Sequence, residues 1–441
     1  MYKYSNLNLL IAFLIISSSP GIVNAQSGPM PGDIYKEYAV NLNEGKNWRI
    51  TDPDAKNTGA LAFLPNPLLG IVIDDLDGAV KAEVLMDIWS GHAGTSNKRF
   101  RFNNNDWIHI PEVPTIALQP ECYYAQSNVI MEIPLEYFVH GNNTFEGTSG
   151  GQTCFGFNWG QWGWYVMMVR IYYGPDKSHN KASITYPVSN TTITDNPEII
   201  VSPDNPDEVD QVQILGKYFG YDQRGLGHFY DWHWAYHGSV LEGHLGTVNT
   251  APYKTTWNTT WVPDQETRAI SFMARVKDKN SVWYVTDIVE NISLDRSAGT
   301  SIKMYSSIDV PKRFTVRKLG NGDPKIMGCN IEITDLELAT EAKFFHRTWN
   351  AADDDAARGS ITFPLLINGT GYKTFGLNHF FSLSGFNLPI SNLVTGPNNI
   401  SYTSNTSHHG IEVMWPGPAI MVKYSANLVK ESPGSHTRRT N

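Results

Sequence analysis

The chain has 441 residues, of which 17% are charged and 12% aromatic, with 37 Gly and 25 Pro. That length supports two to four domains, and the composition favours short strands over a helical cytosolic fold. A formal charge of −9, or −10 once Lys3 is discounted, argues against nucleic acid or an anionic membrane as main partner, so an acidic ligand has to be met by a local basic patch.

Lys3, the apolar stretch Leu9 to Ile16 and the small residues Val23-Asn24-Ala25 predict a signal peptide over residues 1–25, hence a secreted or periplasmic chain. No second long apolar stretch follows, so no membrane span is expected.

Residues 30–175 read as a jelly-roll-type β-sandwich, with apolar and polar residues alternating in short strands between Gly, Asn and Pro. In NKRFRFNNNDW, Arg99 and Arg101 share one strand face and Phe100 and Phe102 the other. Two guanidinium groups about 7 Å apart suit a carboxylate or sulfate ester, although an exposed basic edge strand that blocks aggregation is the commoner use. Cys122 and Cys154 fall in this domain and are a candidate disulfide, the alternative being three buried thiols with Cys329. The run FGFNWGQWGWY packs three tryptophans among glycines, which fits a sandwich core first and a ligand surface second.

Residues 185–297 differ in character. TAPYKTTWNTTWVPDQ and the strand-like segments after it predict an immunoglobulin-like sandwich with Trp257 and Trp261 as core candidates. Within it, GHFYDWHWAYHGSVLEGH holds four histidines among five aromatic residues. Read as one strand, it sets Asp231, His233 and His237 on one face and Trp232, Trp234 and Tyr236 on the other. Metal binding is disfavoured because residues four apart on a strand lie about 13 Å from each other. No cofactor is therefore expected. Upstream, FGYDQRGLGHFYD has the glycine rhythm of a calcium loop but lacks the carboxylates that should follow Asp222.

Residues 300–428 repeat the first domain, and 429–441 form a polar tail. IPLEYFVHGNN (Ile133 to Asn143) matches LPISNLVTGPNN (Leu388 to Asn399), AEVLMDIWSG (Ala82 to Gly91) matches AKFFHRTWNA (Ala342 to Ala351), and a tryptophan strand follows each, aligning Trp162 with Trp415 and Arg170 with Lys423. The predicted fold is thus all-β, two jelly-roll-type β-sandwiches flanking an immunoglobulin-like one. Where the first copy has Phe155 and Gly156, the second has His408 and His409.

DWHWAYHG, TAPYKTTWNTTWVPDQ and HHGIEVMWPGP together resemble secreted bacterial multidomain β-proteins associated with polysaccharide degradation. The jelly rolls are similar in pattern to galactose-binding-like carbohydrate-binding modules. The resemblance implies a carbohydrate partner and assigns no catalytic residue.

Two functions fit these residues. Elimination on a uronate-containing, acidic poly- or oligosaccharide, by a lyase or dehydratase, uses His233 or His237 as base and Tyr236 as proton donor. His408 or His409 would assist, and Arg347 would neutralise the carboxylate. Trp232, Trp234 and Trp415 would stack on sugar rings. The alternative is a non-catalytic carbohydrate-binding protein with two sugar-binding jelly rolls, gaining avidity from linked sites.

Overall fold

The computed structural model describes residues 28–41, 49–89, 91–113, 122–154, 158–296, 299–317, 325–353, 359–407 and 410–425. Among these, strands dominate and one short α-helix occurs, Thr58–Leu61.

The first sandwich forms because its strands alternate. Phe100 and Phe102 point inward and are fully buried, while Arg99 and Arg101 face out, and Gly141–Thr148 alternates in step with them. One sheet orders Leu68–Ile73, Gly141–Thr148, Arg99–Phe102 and Ile108–His109. The other carries Ile34–Asn41, Gln161–Tyr173, Ala79–Trp89 and Gln126–Ile133. Trp162, Trp164, Phe100, Phe102 and Phe145 fill the space between the two sheets.

The third unit repeats this plan at hydrogen-bond level. The Asn143 side chain bonds both backbone groups of Val139 (2.8 and 2.8 Å) and the Gly141 carbonyl (3.0 Å). Asn398 does the same with Val394 (2.9 and 2.8 Å) and Gly396 (3.0 Å). Asn103 and Asn368, at φ 50° and 49°, each donate to these asparagines at 2.7 Å. Left-handed backbone at a non-glycine residue suits Asn, which offsets the strain with local hydrogen bonds.

Between them, the sheet of Ala182–Tyr186, Glu198–Pro203 and Lys254–Thr256 packs on Val209–Phe219, Ile270–Asp278 and Val289–Leu294 around Trp257. Trp261 departs from the core role expected of it. It is half-buried at the border with the third domain, where Lys343 and Lys423 lie 5.9 and 4.8 Å from its ring centre.

The three units are closely joined. Trp283–Val285 of the middle unit pairs with Ile34 and Tyr35, so one sheet runs from the first domain into the second. The face of Gln161–Tyr173 that a lone sandwich would leave wet is covered by Leu215, Met273, Trp283, Trp234 and Tyr236. All thirteen of its residues are consequently buried. Arg170 on that face is enclosed between Glu37 and Glu83, at 2.9 Å from each. Burying this cation requires such partners, because an unpaired charge there would cost several kcal/mol.

The histidine-rich run is two short strands rather than one. Tyr230–His233 pairs with Val209–Phe219, and Ala235–His237 pairs instead with Val240–Glu242. The break at Trp234 resets the parity. His233, Trp234, Tyr236 and His237 are all buried, so the predicted aromatic and titratable faces do not exist.

Candidate functional site

His233 belongs to the middle domain alone. Its ring stacks on Tyr218 at 3.9 Å, and its Nε2 lies 2.8 Å from the Tyr218 carbonyl. Burial pushes its pKa down to about 4, outweighing the hydrogen bond and the charge of Asp231. Asp231 pairs with Arg224 at 3.6 Å rather than with a histidine. The Asp222 carboxylate accepts backbone N–H bonds from Arg224, Gly225 and Gly227, at 2.8 to 2.9 Å, and so closes the glycine loop on itself. Among the described residues no group of three His, Cys, Asp or Glu side chains is placed to hold a metal ion.

His237 lies instead where the three domains meet. The Gln126 side-chain amide donates to Asp87 Oδ1 (2.7 Å) and faces His237 Nδ1 at 3.1 Å. Since an amide nitrogen only donates, Nδ1 is the acceptor and the ring proton sits on Nε2. That atom is 3.6 Å from Glu242 Oε2, too far for a hydrogen bond. Asp87 also accepts from the Gly238 N–H (3.0 Å) and from Asn128 (3.3 Å). Burial drives its pKa up to about 7 against these hydrogen bonds and the charge of Arg347. Burial, with Arg347 second, drives His237 down to about 3.

Arg347 comes from the third domain and donates to the backbone carbonyls of Gln126 in the first and Gln223 in the second. It therefore joins His237 at one locus, both contacting Gln126. Tyr236 is present through its backbone, whose N–H donates to Asn128; its ring packs in the interdomain core with Trp234, only 5% exposed. Trp234 has Arg224 over its ring at 4.4 Å, and Trp232 packs partly against the same core. These rings serve as packing surface. His408 and His409 lie outside the described residues, as do residues 1–25 and 429–441.

Further contacts fasten the third domain to the others. Trp415 meets Tyr123 edge-on at 5.1 Å, and its backbone N–H donates to Tyr124. Tyr221 donates to the Gly417 carbonyl at 2.7 Å. Cys122 and Cys154 are joined as a disulfide, S–S 2.01 Å, and the Cys122 carbonyl accepts from Arg313 of the third domain. Cys329 is a buried free thiol.

A different region offers open space. A cleft of about 620 Å³ on the first domain is lined by Pro53, Leu61, Leu64, Pro65, Trp107 and the Glu146 to Thr148 segment, with Asn66. Asn66 is held by reciprocal 2.8 Å hydrogen bonds to the Thr51 backbone, which fixes that wall. Arg99 and Arg101 lie over Trp107, at 5.4 and 4.5 Å from the ring centre, and Arg101 also grips Glu146 at 2.8 Å. Sequence reasoning singled out both arginines and missed Trp107. The available signal was its place just past the Asn103 turn, six residues beyond Arg101.

No protein-family profile and no curated protein matches the chain. Among solved structures it is similar to a β-porphyranase of glycoside hydrolase family 86 from the human gut bacterium Bacteroides plebeius. That match is 12% identical, covers 52% of this chain and 35% of that one, and has a TM-score of 0.21. A second is SGBP-B of the Bacteroides ovatus mixed-linkage glucan utilization locus, solved with a mixed-linkage heptasaccharide, at 10% identity, 88% and 92% coverage and TM-score 0.19. A third is the fibronectin(III)-like modules of Clostridium thermocellum CbhA, at 12%, 52% and 95%, TM-score 0.17. The chain spans about a third of the length of the porphyranase it matches.

Proposed function

We propose that this protein recognises carbohydrate outside the cytoplasm, holding a saccharide in the first-domain cleft. The observation that carries the reading is the cleft itself. An aromatic ring and an apolar wall stand beside fixed polar groups, the combination that accepts the apolar face and the hydroxyls of a pyranose together. Trp107 supplies the ring, and Glu146 and Thr148 supply hydrogen-bonding groups. The disulfide and the signal-like N-terminus support a secreted or periplasmic setting. Among the described residues no helix is long and apolar enough to cross a membrane. Titration calorimetry with oligosaccharides tests the reading: Trp107→Ala is expected to weaken binding at least about tenfold. Unchanged affinity in that variant overturns the assignment.

A second reading, uronate elimination by a lyase or dehydratase, is favoured by the meeting of His237, Asp87 and Arg347 at the junction. There a neutral imidazole, a carboxyl group with pKa near 7 and a guanidinium are in one place. New ultraviolet absorbance from an unsaturated uronate, lost in His237→Ala, supports it; binding without turnover refutes it.

A further inference from the structure

Arg99 stands opposite Thr148 and Arg101 opposite Glu146 on adjacent antiparallel strands, so all four side chains share one face, and Thr148 and Glu146 line the cleft. The two arginines differ in one respect. Arg101 is neutralised by Glu146, whereas among the described residues Arg99 has no carboxylate within ion-pairing distance. Its Nε is buried without a hydrogen-bond partner, and its neighbour on the other side is His109.

Such a cation serves either the fold or a ligand. The third domain distinguishes these uses. The equivalence of Asn103 with Asn368 and of Gly141–Thr148 with Gly396–Thr403 sets Pro364 at the place of Arg99 and Leu366 at that of Arg101. The same sandwich therefore closes without a cation at either position. Stacking on Trp107 also orients the guanidinium before any ligand arrives, which lowers the entropy lost on binding.

We propose that the cleft takes an acidic saccharide and that Arg99 pairs with its anionic substituent, a sulfate ester or a uronate carboxylate, while a sugar ring rests against Trp107. The inference builds on the saccharide reading above and adds the charge of the ligand. A chain with a formal charge of −9 repels anions at long range, so a local unpaired cation is what such a ligand requires.

The test is calorimetry of the full chain with three hexasaccharides: a neutral one from agarose, a sulfated one from κ-carrageenan and a carboxylated one from alginate. At low ionic strength, the sulfated or the carboxylated probe is expected to bind at least about tenfold more tightly than the neutral one, the identity of that probe naming the substituent. Arg99→Gln should remove the preference, bringing the affinity for the anionic probe down to that for the neutral one; Arg99→Lys should restore part of it. Equal affinity for all three, still dependent on Trp107, overturns the role of Arg99 and leaves the cleft reading in place. A preference that survives Arg99→Gln does the same. Binding of none of the probes overturns both.

Discussion

The first and third domains share one scaffold and differ at its outward-facing positions. On one sheet, Arg99, Arg101 and Glu146 of the first domain correspond to Pro364, Leu366 and Ser401 of the third. On the other, the matched strands Ala79–Trp89 and Ala339–Asn350 carry Asp87 in one copy and Arg347 in the other, and both reach the same junction. The copies thus keep matching cores, while divergence gives an open cleft on the outward face of one copy and sets a buried acid and a buried cation where the copies meet. The inward asparagines, which close the loops, were left unchanged.

The largest effect is expected at the junction. Asp87 has a folded-state pKa near 7 against 3.8 when unfolded, so the native state holds the extra proton between these values. Its contribution is full below about pH 4 and is lost as the pH rises through 7. Asp87→Asn mimics the protonated form. The variant should match the parent near pH 4 and exceed it by up to about 4 kcal/mol above pH 7, measured by urea unfolding. His237 acts in the opposite sense, since its pKa is depressed to about 3 and stability rises between pH 3 and 6.5. Asp87→Asn should therefore also steepen the gain in stability across that interval. A pH profile parallel to that of the parent would separate Asp87 from the charge balance of the junction.

Next in size is the shared feature. Asn143→Ala and Asn398→Ala each remove three hydrogen bonds to loop backbone and strand the groups they satisfied. Each is expected to cost about 2 to 3 kcal/mol, and the two costs should agree to within about 1 kcal/mol. A large inequality would mean that the copies rely on this loop differently, despite the same bonds.

The repeat was legible in the sequence because a duplicated core must preserve its inward residues, and Ile133 to Asn143 against Leu388 to Asn399 does so. The all-β class followed from alternation in strands such as Arg99–Phe102. The arrangement of the domains was not legible. Alternation assumes one wet face, and Gln161–Tyr173 has none because the middle domain covers it. The same assumption failed at Tyr230 to His237, where a break in pairing at Trp234 reset the parity. Arg347 and His237 were each named as candidates from residue chemistry, but nothing in the sequence placed the two side by side. Their intermediaries Asp87 and Gln126 escaped notice, since an Asp and a Gln on apolar strands have no motif and acquire meaning only when three domains close over them.

The smallest expected effect sharpens the contrast between the two outer sheets. Converting the first domain toward the third with Arg101→Leu and Glu146→Ser removes an ion pair whose side chains are 26% and 36% exposed. Water and salt screen such a pair, so stability should change by less than about 1 kcal/mol. Saccharide binding should respond more, because Arg101 also braces Trp107 at 4.5 Å and Glu146 lines the cleft. Thermal unfolding and calorimetry on the same double variant separate the two roles. A large loss of stability with intact binding would make the pair part of the sandwich, and the divergence between the domains would then reflect folding rather than ligand recognition.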